Sequence, residues 1–363
     1  MDISDPDLIL DEEGVCNHCR RYDIELPKRV FSGEIAKVEL EKIVYKIKQA
    51  GKGKDYDCII GVSGGVDSTY VAYLSKQLGL RPLAIHFDNG WNSELAVANI
   101  EKTLNKLGID LYTFVINWDE FRDLQKSFLK ASTPDGEIPT DHAINALLFQ
   151  EASKHNIKYI ISGMNFATES MAVKSWAYGH SDWTYIKDIQ SKFGTKKLKQ
   201  YPHFSLFSLF YYTFIKKIKV VSVLNYVEYN KADVMEKIIK ELEWVYYGGK
   251  HYESVYTRFY QGYILPQKFN IDKRRGHLSD LINSGQMKRE DALEEMKENT
   301  YLGSLLTQDL RFVKKKLELS DDEFQTIMDT KPKSFRDYKN IEHYIVKLKK
   351  MVNYLRNKGL YTK

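Results

Sequence analysis

The densest chemistry in the chain is the run Ile59-Ile60-Gly61-Val62-Ser63-Gly64-Gly65-Val66-Asp67-Ser68-Thr69. A Ser-Gly-Gly between an apolar run and an amphipathic one lets backbone N–H groups approach an anion with no Cβ in the way. Ser63 and Ser68 add hydroxyl donors, and the helix N-terminus adds partial positive charge. Asp67, in the first helical turn, suits Mg²⁺ held beside phosphates. The run has neither the lysine of G-x-x-x-x-G-K-[ST] nor the spacing of G-x-G-x-x-G. A bare Ser-Gly-Gly reads equally well as a simple turn. The added Asp and Ser at a strand-to-helix junction favour a phosphate cradle.

Other candidate groups lie in four short segments. "HFDNGWN" (86–92) offers Asp88 and Asn89 to a ribose or base, although Asp-Asn-Gly is also a turn signal. "SGMNFATE" (162–169) offers Gly163 and Glu169. "VKSWAYGHSDW" (173–183) offers Lys174, Trp176, His180 and Trp183, which suit a sugar or base, or equally an aromatic core patch. "YYGGKHYESVYTRFYQGYILPQKF" (246–269) concentrates Lys250, His251, Arg258 and Lys268. Lys250 follows Gly248-Gly249 and is the candidate cation for a pyrophosphate or its transition state. Arg258 is the candidate clamp for a phosphate or sugar nucleotide. His180 and His251 are candidate proton carriers, and His251 a candidate substrate contact. Lys268 and the Arg274-Arg275 pair read as structural. "PTDHAI" (139–144) places Asp141 and His142 in a first helical turn behind Thr140 as N-cap, with their roles open.

Cys16 and Cys19 form a C-x-x-C knuckle. A structural zinc site needs four ligands, and the third cysteine of the chain, Cys58, lies in an apolar run. From the residues alone the knuckle is a metal site with half its ligands missing, a redox pair, or neither, with His18 between its two thiols.

These residues need a scaffold that brings distant loops together. "YDCIIGV" (56–62), "PLAIHFDNG" (82–90), "DLYTFVIN" (110–117) and "IKYIISG" (157–163) read as strands. Amphipathic helices over 34–51, after Ser68, over 93–109 with Ser93 as N-cap, and over 140–156 alternate with them. Apolar strands, short loops and intervening helices predict an α/β fold: a parallel sheet covered on both faces, Rossmann-like. Residues 1–30 read as an irregular arm carrying the knuckle and 31–163 as the α/β unit. Residues 164–230 read as an aromatic and basic insertion without β/α rhythm. Residues 231–300 return to the main domain with the cationic segment, and 301–363 form a helical tail whose Lys-rich end (331–363) reads as one exposed helix.

Composition sets the bounds. A length of 363 residues suits about two domains or one large core. Three cysteines exclude a disulfide scaffold and fit a reducing, cytoplasmic compartment. Net charge of +5 suits a phosphate-bearing small molecule or an RNA equally. The first twenty residues lack an apolar leader, and the longest apolar stretch, 204–215, is too short to span a bilayer.

"SGGVDS" resembles the pyrophosphate loop of the adenine-nucleotide α-hydrolase superfamily, whose members split ATP into AMP and pyrophosphate while adenylating a carbonyl-type oxygen. The resemblance implies that Ser63, Gly64, Gly65, Asp67 and Ser68 hold the pyrophosphate end with Mg²⁺. It also implies that Gly61, Val62 and the end of the second strand face the adenosine. "SGMNFATE" is similar to the S-G-x-G-A-D-E element of asparagine synthetase, with Thr168 in the aspartate position and only Glu169 left to serve. In order along residues 5–300, "DPDLILDEEGVCNHC", "HFDNGWNS", "PTDHAI", "ISGMNFATE", "VKSWAYGHSDW", "LNYVEYNK" and the 246–269 segment resemble the N-acetyl sugar amidotransferases.

That resemblance implies conversion of the acetamido group of a nucleotide-linked sugar to an acetamidino group, in bacterial surface-glycan synthesis such as lipopolysaccharide O-antigen. Ammonia would come from separate partners, a glutaminase subunit and a barrel subunit similar to the cyclase of histidine biosynthesis, with 191–222 a candidate docking surface. The rival is a tRNA-thiolating enzyme of the same superfamily. It needs a reactive cysteine beside the nucleotide, and Cys58 in a buried strand serves poorly. Nucleic acid is therefore not the expected partner. Related sequences carry a second C-x-x-C upstream of an "MDxSDP"-like stretch, which makes "DEEGVCNHCRRY" the second half of a zinc knuckle. The chain as given is expected to bind zinc weakly or not at all, and an upstream-extended form to bind one zinc tightly. Metal analysis after exhaustive dialysis checks this, and full occupancy at Cys16 and Cys19 alone contradicts it.

Overall fold

The computed structural model describes residues 1–249, 252–301 and 303–357. The chain begins with helices α1 (Asn17–Arg29) and α2 (Gly33–Ala50), then enters a β/α alternation. This runs β1 (Cys58–Gly61), α3 (Val66–Gln77), β2 (Pro82–Asp88), α4 (Glu94–Leu107), β3 (Asp110–Val115), α5 (Trp118–Ala131), α6 (Ile138–Lys154) and β4 (Tyr159–Ser162). Helices α7 (Trp183–Phe193) and α8 (Leu206–Phe210) lead to β5 (Lys219–Ser222). Helical segments follow: α9 (Lys231–Leu242), α10 (Val255–Phe259), α11 (Leu265–Phe269), α12 (Arg274–Asn283), α13 (Arg289–Glu295), α14 (Gly303–Leu317), α15 (Asp321–Asp329) and α16 (Glu342–Asn357). Among the described residues, no helix is long and apolar enough to cross a membrane.

The five strands form one sheet in the order β3-β2-β1-β4-β5, and every adjacent pair is parallel. Side chains alternate faces along a strand, so Ile59 enters the core under α5, α6 and α7, while Cys58 and Ile60 enter the one under α2, α3, α4 and α9. Strands covered on both faces must be apolar throughout, and Cys58, Ile59 and Ile60 are fully buried. After β1 the chain builds outward on one side through β2 and β3, then returns to the other side of β1 at β4. The direction of winding therefore reverses at β1. In open α/β sheets ligands bind outside the carboxyl ends of the strands, at such a reversal.

Several elements differ from the sequence reading. The arm contains α1, started by the Cys16 sulfur accepting from the Cys19 N–H. Helix α5 fills the stretch after β3. Residues 164–230 carry a fifth strand as well as helices; its four residues, "KVVS" after a run of lysines, are too few to register as a pattern in sequence. The Lys-rich tail is not one exposed helix: Phe335 stacks on Tyr178 at 3.9 Å, and Tyr338 is buried with its hydroxyl donating to the Ala131 carbonyl, before α16 begins.

Arg258 of α10 is partly buried against α14, where its guanidinium grips both oxygens of the buried Asp309 at 2.6 and 2.8 Å. The Tyr301 hydroxyl donates to the same carboxylate. Removing one partner leaves a buried charge unpaired, whereas replacing both with apolar side chains costs much less. Asp309→Ala is expected to destabilise the fold by about 3–5 kcal/mol in urea unfolding, with Arg258→Met/Asp309→Leu closer to the parent.

Candidate active site

The loop between β1 and α3 sits at the winding reversal, and its shape depends on one glycine. Gly64 has φ +78°, and a Cβ on it would lie 2.5 Å from the Ala96 carbonyl oxygen of α4. Both the backbone conformation and the close approach require glycine. The indole of Trp244, just past α9, donates to the Gly64 carbonyl at 2.9 Å and fixes the loop from below. Within the loop, the Ser63 N–H donates to Ser68 Oγ at 3.2 Å, Ser68 Oγ donates to the Gly65 carbonyl at 3.1 Å, and the Gly65 N–H donates to Ser63 Oγ at 3.3 Å. The result is a pre-shaped turn at the N-terminus of α3, as an anion cradle requires.

Two ligand-sized cavities meet at this turn. The first, about 420 Å³, is bounded by Gly61, Val62, Ser63 and Ser68, by Ile85, His86, Phe87 and Asn89 of β2 and its turn, and by Thr140, Ile144 and Leu148 of α6. Thr257, Gln261 and Lys273 close its mouth. The second, about 510 Å³, is bounded by Gly65, Asp67, Lys231, Tyr247, Arg274 and His277. Ser63, Ser68 and Glu253 belong to both walls. Glu253 is held there because its segment pairs with the turn after β2: its carbonyl accepts from the Ser93 N–H at 2.8 Å, and the Val255 N–H donates to the Trp91 carbonyl at 2.9 Å. A Cβ on Gly65 would sit 3.4 Å from the Tyr247 hydroxyl and 3.6 Å from Glu253.

The polar groups have defined states. His86 Nδ1 lies 2.9 Å from the Val62 carbonyl, so it must donate; Nε2, 3.1 Å from the Asn92 amide, then accepts. Asp67 accepts a hydrogen bond from the Tyr229 hydroxyl. Burial, then the Asp67 carboxylate, and more weakly Glu169, push the Tyr229 pKa up, so the phenol stays neutral. Burial, then Glu253, does the same for Tyr247. Asp67 is a carboxylate at the loop, in the wall of the second cavity, and is the ligand type that suits a hard divalent cation. Gly163 packs against Asp67, a Cβ there falling 3.5 Å from its backbone.

The structure thus brings Gly61, Val62, Ser63, Gly64, Gly65, Asp67, Ser68, Asn89 and Gly163 to one place. Asp88 turns away, its carboxylate accepting from the Gly90 N–H at 2.8 Å to hold the turn. Arg258 is a correction: Asp309 occupies its guanidinium, so it clamps α14 rather than a phosphate, and its neighbours Thr257 and Gln261 face the cavity instead. Thr140 is not an N-cap; it lies inside α6, where its Oγ accepts from the Asn89 amide at 3.2 Å.

Lys174, Trp176 and His180 line a third space, of about 380 Å³, which joins the first at Lys273 and the second at His277. There Lys174 is paired with Glu342, His180 lies 3.2 Å from Asp141, and Trp176 is buried with its indole donating to the Ser4 carbonyl. Trp183 stacks on His203 at 4.1 Å. His142 is fully buried, and burial pushes its pKa down to about 4, so it stays neutral. Lys268 donates to the Ile327 and Thr330 carbonyls, a structural role. Lys250 and His251 lie outside the described residues.

The Cys16 and Cys19 sulfurs are 3.5 Å apart. Burial, then Cys16, pushes the Cys19 thiol up to about 11, while His18 pairs with Asp5 at 2.6 Å. Among the described residues no group of three or more His, Cys, Asp or Glu is placed to hold a metal.

Lys231, Lys273, Tyr229, Tyr247, Glu253, Thr140 and Gln261 enter the site without having been singled out as site residues from sequence. Tyr247 and Glu253 lie inside the 246–269 segment, but its cations drew the reading. Lys273 precedes an arginine pair read as structural. Tyr229, in "LNYVEYNK", carries no spacing signal at all.

Comparison with known proteins matches the two halves of the site separately. Residues 54–165 match the asparagine synthase family, and residues 253–354 match the C-terminal domain of LPS biosynthesis protein WbpG-like proteins. A GMP synthase [glutamine-hydrolyzing] of Pyrobaculum aerophilum is 32% identical over 145 residues, covering 38% of this chain and 27% of the relative. The tRNA-specific 2-thiouridylase MnmA 2 of Fusobacterium nucleatum is 32% identical over 136 residues, covering 36% and 40%. The chain thus spans less than half the length of either curated relative. Among solved structures, the NMN synthetase of Francisella tularensis aligns with 80% of this chain and 98% of its own, at TM-score 0.39 and 16% identity.

Gly64→Ala is expected to weaken nucleotide binding at least about tenfold, with the far-UV circular dichroism unchanged. Parent-like affinity by calorimetry would show that the turn geometry does not set binding.

Proposed function

We propose an activity for this chain, which belongs to the N-acetyl sugar amidotransferase family of the pyrophosphate-loop superfamily: ATP-dependent conversion of a sugar acetamido group to an acetamidino group. The observation that carries the reading is the Ser63–Ser68 turn as a common wall of two cavities. ATP takes the first, its adenosine against Ile85, Phe87 and Asn89 and its phosphates at the loop amides. The nucleotide-linked N-acetyl sugar takes the second, where Lys231 supplies positive charge and Tyr247 a polar aromatic face, while Arg274 is held by Asp272 and by the Glu295 and Glu298 carbonyls. Asp67 and Glu169 would hold Mg²⁺, which supplies charge neutralisation for the phosphates.

The chemistry follows from the weakness of an amide as an electrophile. The acetamido oxygen attacks the α-phosphorus of ATP; the O–P bond forms, the α–β bridging bond breaks, and pyrophosphate leaves. Ammonia then adds to the imidate carbon, loses a proton, and expels AMP with the original oxygen. Positive groups around the loop offset the charge that builds in both steps. Glu253, on the wall between the cavities, is placed to take the proton that ammonia loses. Lys250 remains the proposed pyrophosphate cation. No cysteine lines either cavity, so ammonia comes from outside the chain, from a glutaminase subunit through a cyclase-like barrel subunit.

The same fact weighs against tRNA thiolation, which needs a sulfur nucleophile at the nucleotide. Cys58 is fully buried in β1, and burial, then Asp57, pushes its thiol far up. Incubation with ATP, ammonium and UDP- or CMP-linked N-acetyl sugars is expected to release AMP and give a sugar product lighter by about 1 Da, since NH replaces O. Asp67→Ala is expected to abolish AMP release. AMP release that requires tRNA and a sulfur donor, with none from sugars, overturns the reading.

A further inference from the structure

Far from the loop, α8 continues through a wider turn over Tyr211–Ile215, and one side of this segment is bare. Phe207 is 80% exposed, Phe210 52%, Phe214 55% and Ile215 62%. Phe210 and Phe214 lie 4.9 Å apart ring to ring across the change of turn, with Phe207 one helical turn before Phe210, so the exposed rings form an apolar stripe. The segment is built, not frayed: Ser205 and Ser208 form a capping box at its start, and Tyr212 on the opposite side stacks on Phe149 at 5.8 Å. Soluble chains rarely leave a contiguous aromatic patch uncovered without a use for it.

The stripe ends in a cluster of lysines. Lys216 lies 5.7 Å over the Tyr211 ring. Lys158 donates to the Lys216 carbonyl at 2.8 Å. Lys54 donates to the Asn156 carbonyl at 2.8 Å, two residues before Lys158, so Lys54, Lys158, Lys216 and Lys217 gather on one patch; burial, then these like charges, push the Lys158 pKa down. Gathering like charges costs free energy that an anionic ligand would recover.

We propose that this face binds the surface of a bilayer containing anionic lipids, with the Phe207–Phe210–Phe214 stripe in the headgroup region and the lysines on lipid phosphates. Lysine is depleted from protein–protein interfaces, whereas lysines bordering a Phe- and Leu-rich helical stripe are the composition of an interfacial helix. Placement agrees. Lys54, Lys158, Lys216 and Lys217 precede β1, β4 and β5, at the opposite end of the strands from the loop. Membrane contact there leaves both cavities open.

Sedimentation with vesicles tests this. The full chain is expected to pellet with phosphatidylglycerol-containing vesicles and not with phosphatidylcholine alone. Phe207→Ser/Phe210→Ser/Phe214→Ser should abolish pelleting. Lys216→Glu/Lys217→Glu should weaken it by at least about fivefold per lysine. Both variants should keep parent circular dichroism and AMP formation. No pelleting of the parent, or pelleting that neither variant changes, overturns the proposal. Self-association by light scattering that the Phe variant removes, without vesicle binding, also overturns it and makes the face an interface between copies.

Discussion

The structure depends on a turn that has no room for a side chain. At Gly64 the backbone must take a left-handed conformation and lie against the carbonyl of Ala96. That conformation sets the shape of the turn between β1 and the head of α3. Each supporting element constrains that turn. Ser93 caps α4 and places the Ala96 carbonyl, Trp244 reaches from beyond α9 to the Gly64 carbonyl, and β1 is buried so completely that its end cannot shift. Moving any of these would tilt the amides away from a common anion.

Once the turn is fixed, the chain after β5 closes the site. The 253–255 segment is stitched to the turn after β2, which brings Glu253 and Tyr247 over the loop. Helix α12 carries Lys273, just before its first residue, to one cavity and Arg274 to the other. Two regions matched by different families, 54–165 and 253–354, therefore contribute opposite walls of one cleft. The Arg258–Asp309 pair locks α10 to α14 and so holds that second wall in place.

The loop was legible because its chemistry is local: glycines, hydroxyls and a carboxylate within six residues, after an apolar run. The sheet was legible up to β4 for the same reason, since apolar strands and amphipathic helices alternate with regular spacing. What was hidden depends on contacts distant in sequence. Arg258 reads as a phosphate clamp until Asp309, 51 residues on, claims it. Asp88 and Asn89 are neighbours with one motif between them, yet one holds the turn and the other lines the cavity. Tyr229 matters only because folding lays it on Asp67. The stripe of α8 reads in sequence either as part of a docking surface or as core, because apolar spacing states which residues share a face but not what covers it.

The central claim is that the Ser63–Ser68 turn divides a nucleotide chamber from an acceptor chamber. A crystal structure with Mg²⁺ and a non-hydrolysable ATP analogue tests it most directly. The account predicts adenine between β2 and α6, beside Ile85, Phe87 and Thr140, with the phosphates at the loop, Mg²⁺ at Asp67, and the Lys231 side of the second chamber left free for the acceptor. A nucleotide base in the chamber of Lys231 and Arg274, or phosphates bound away from the loop, would contradict it.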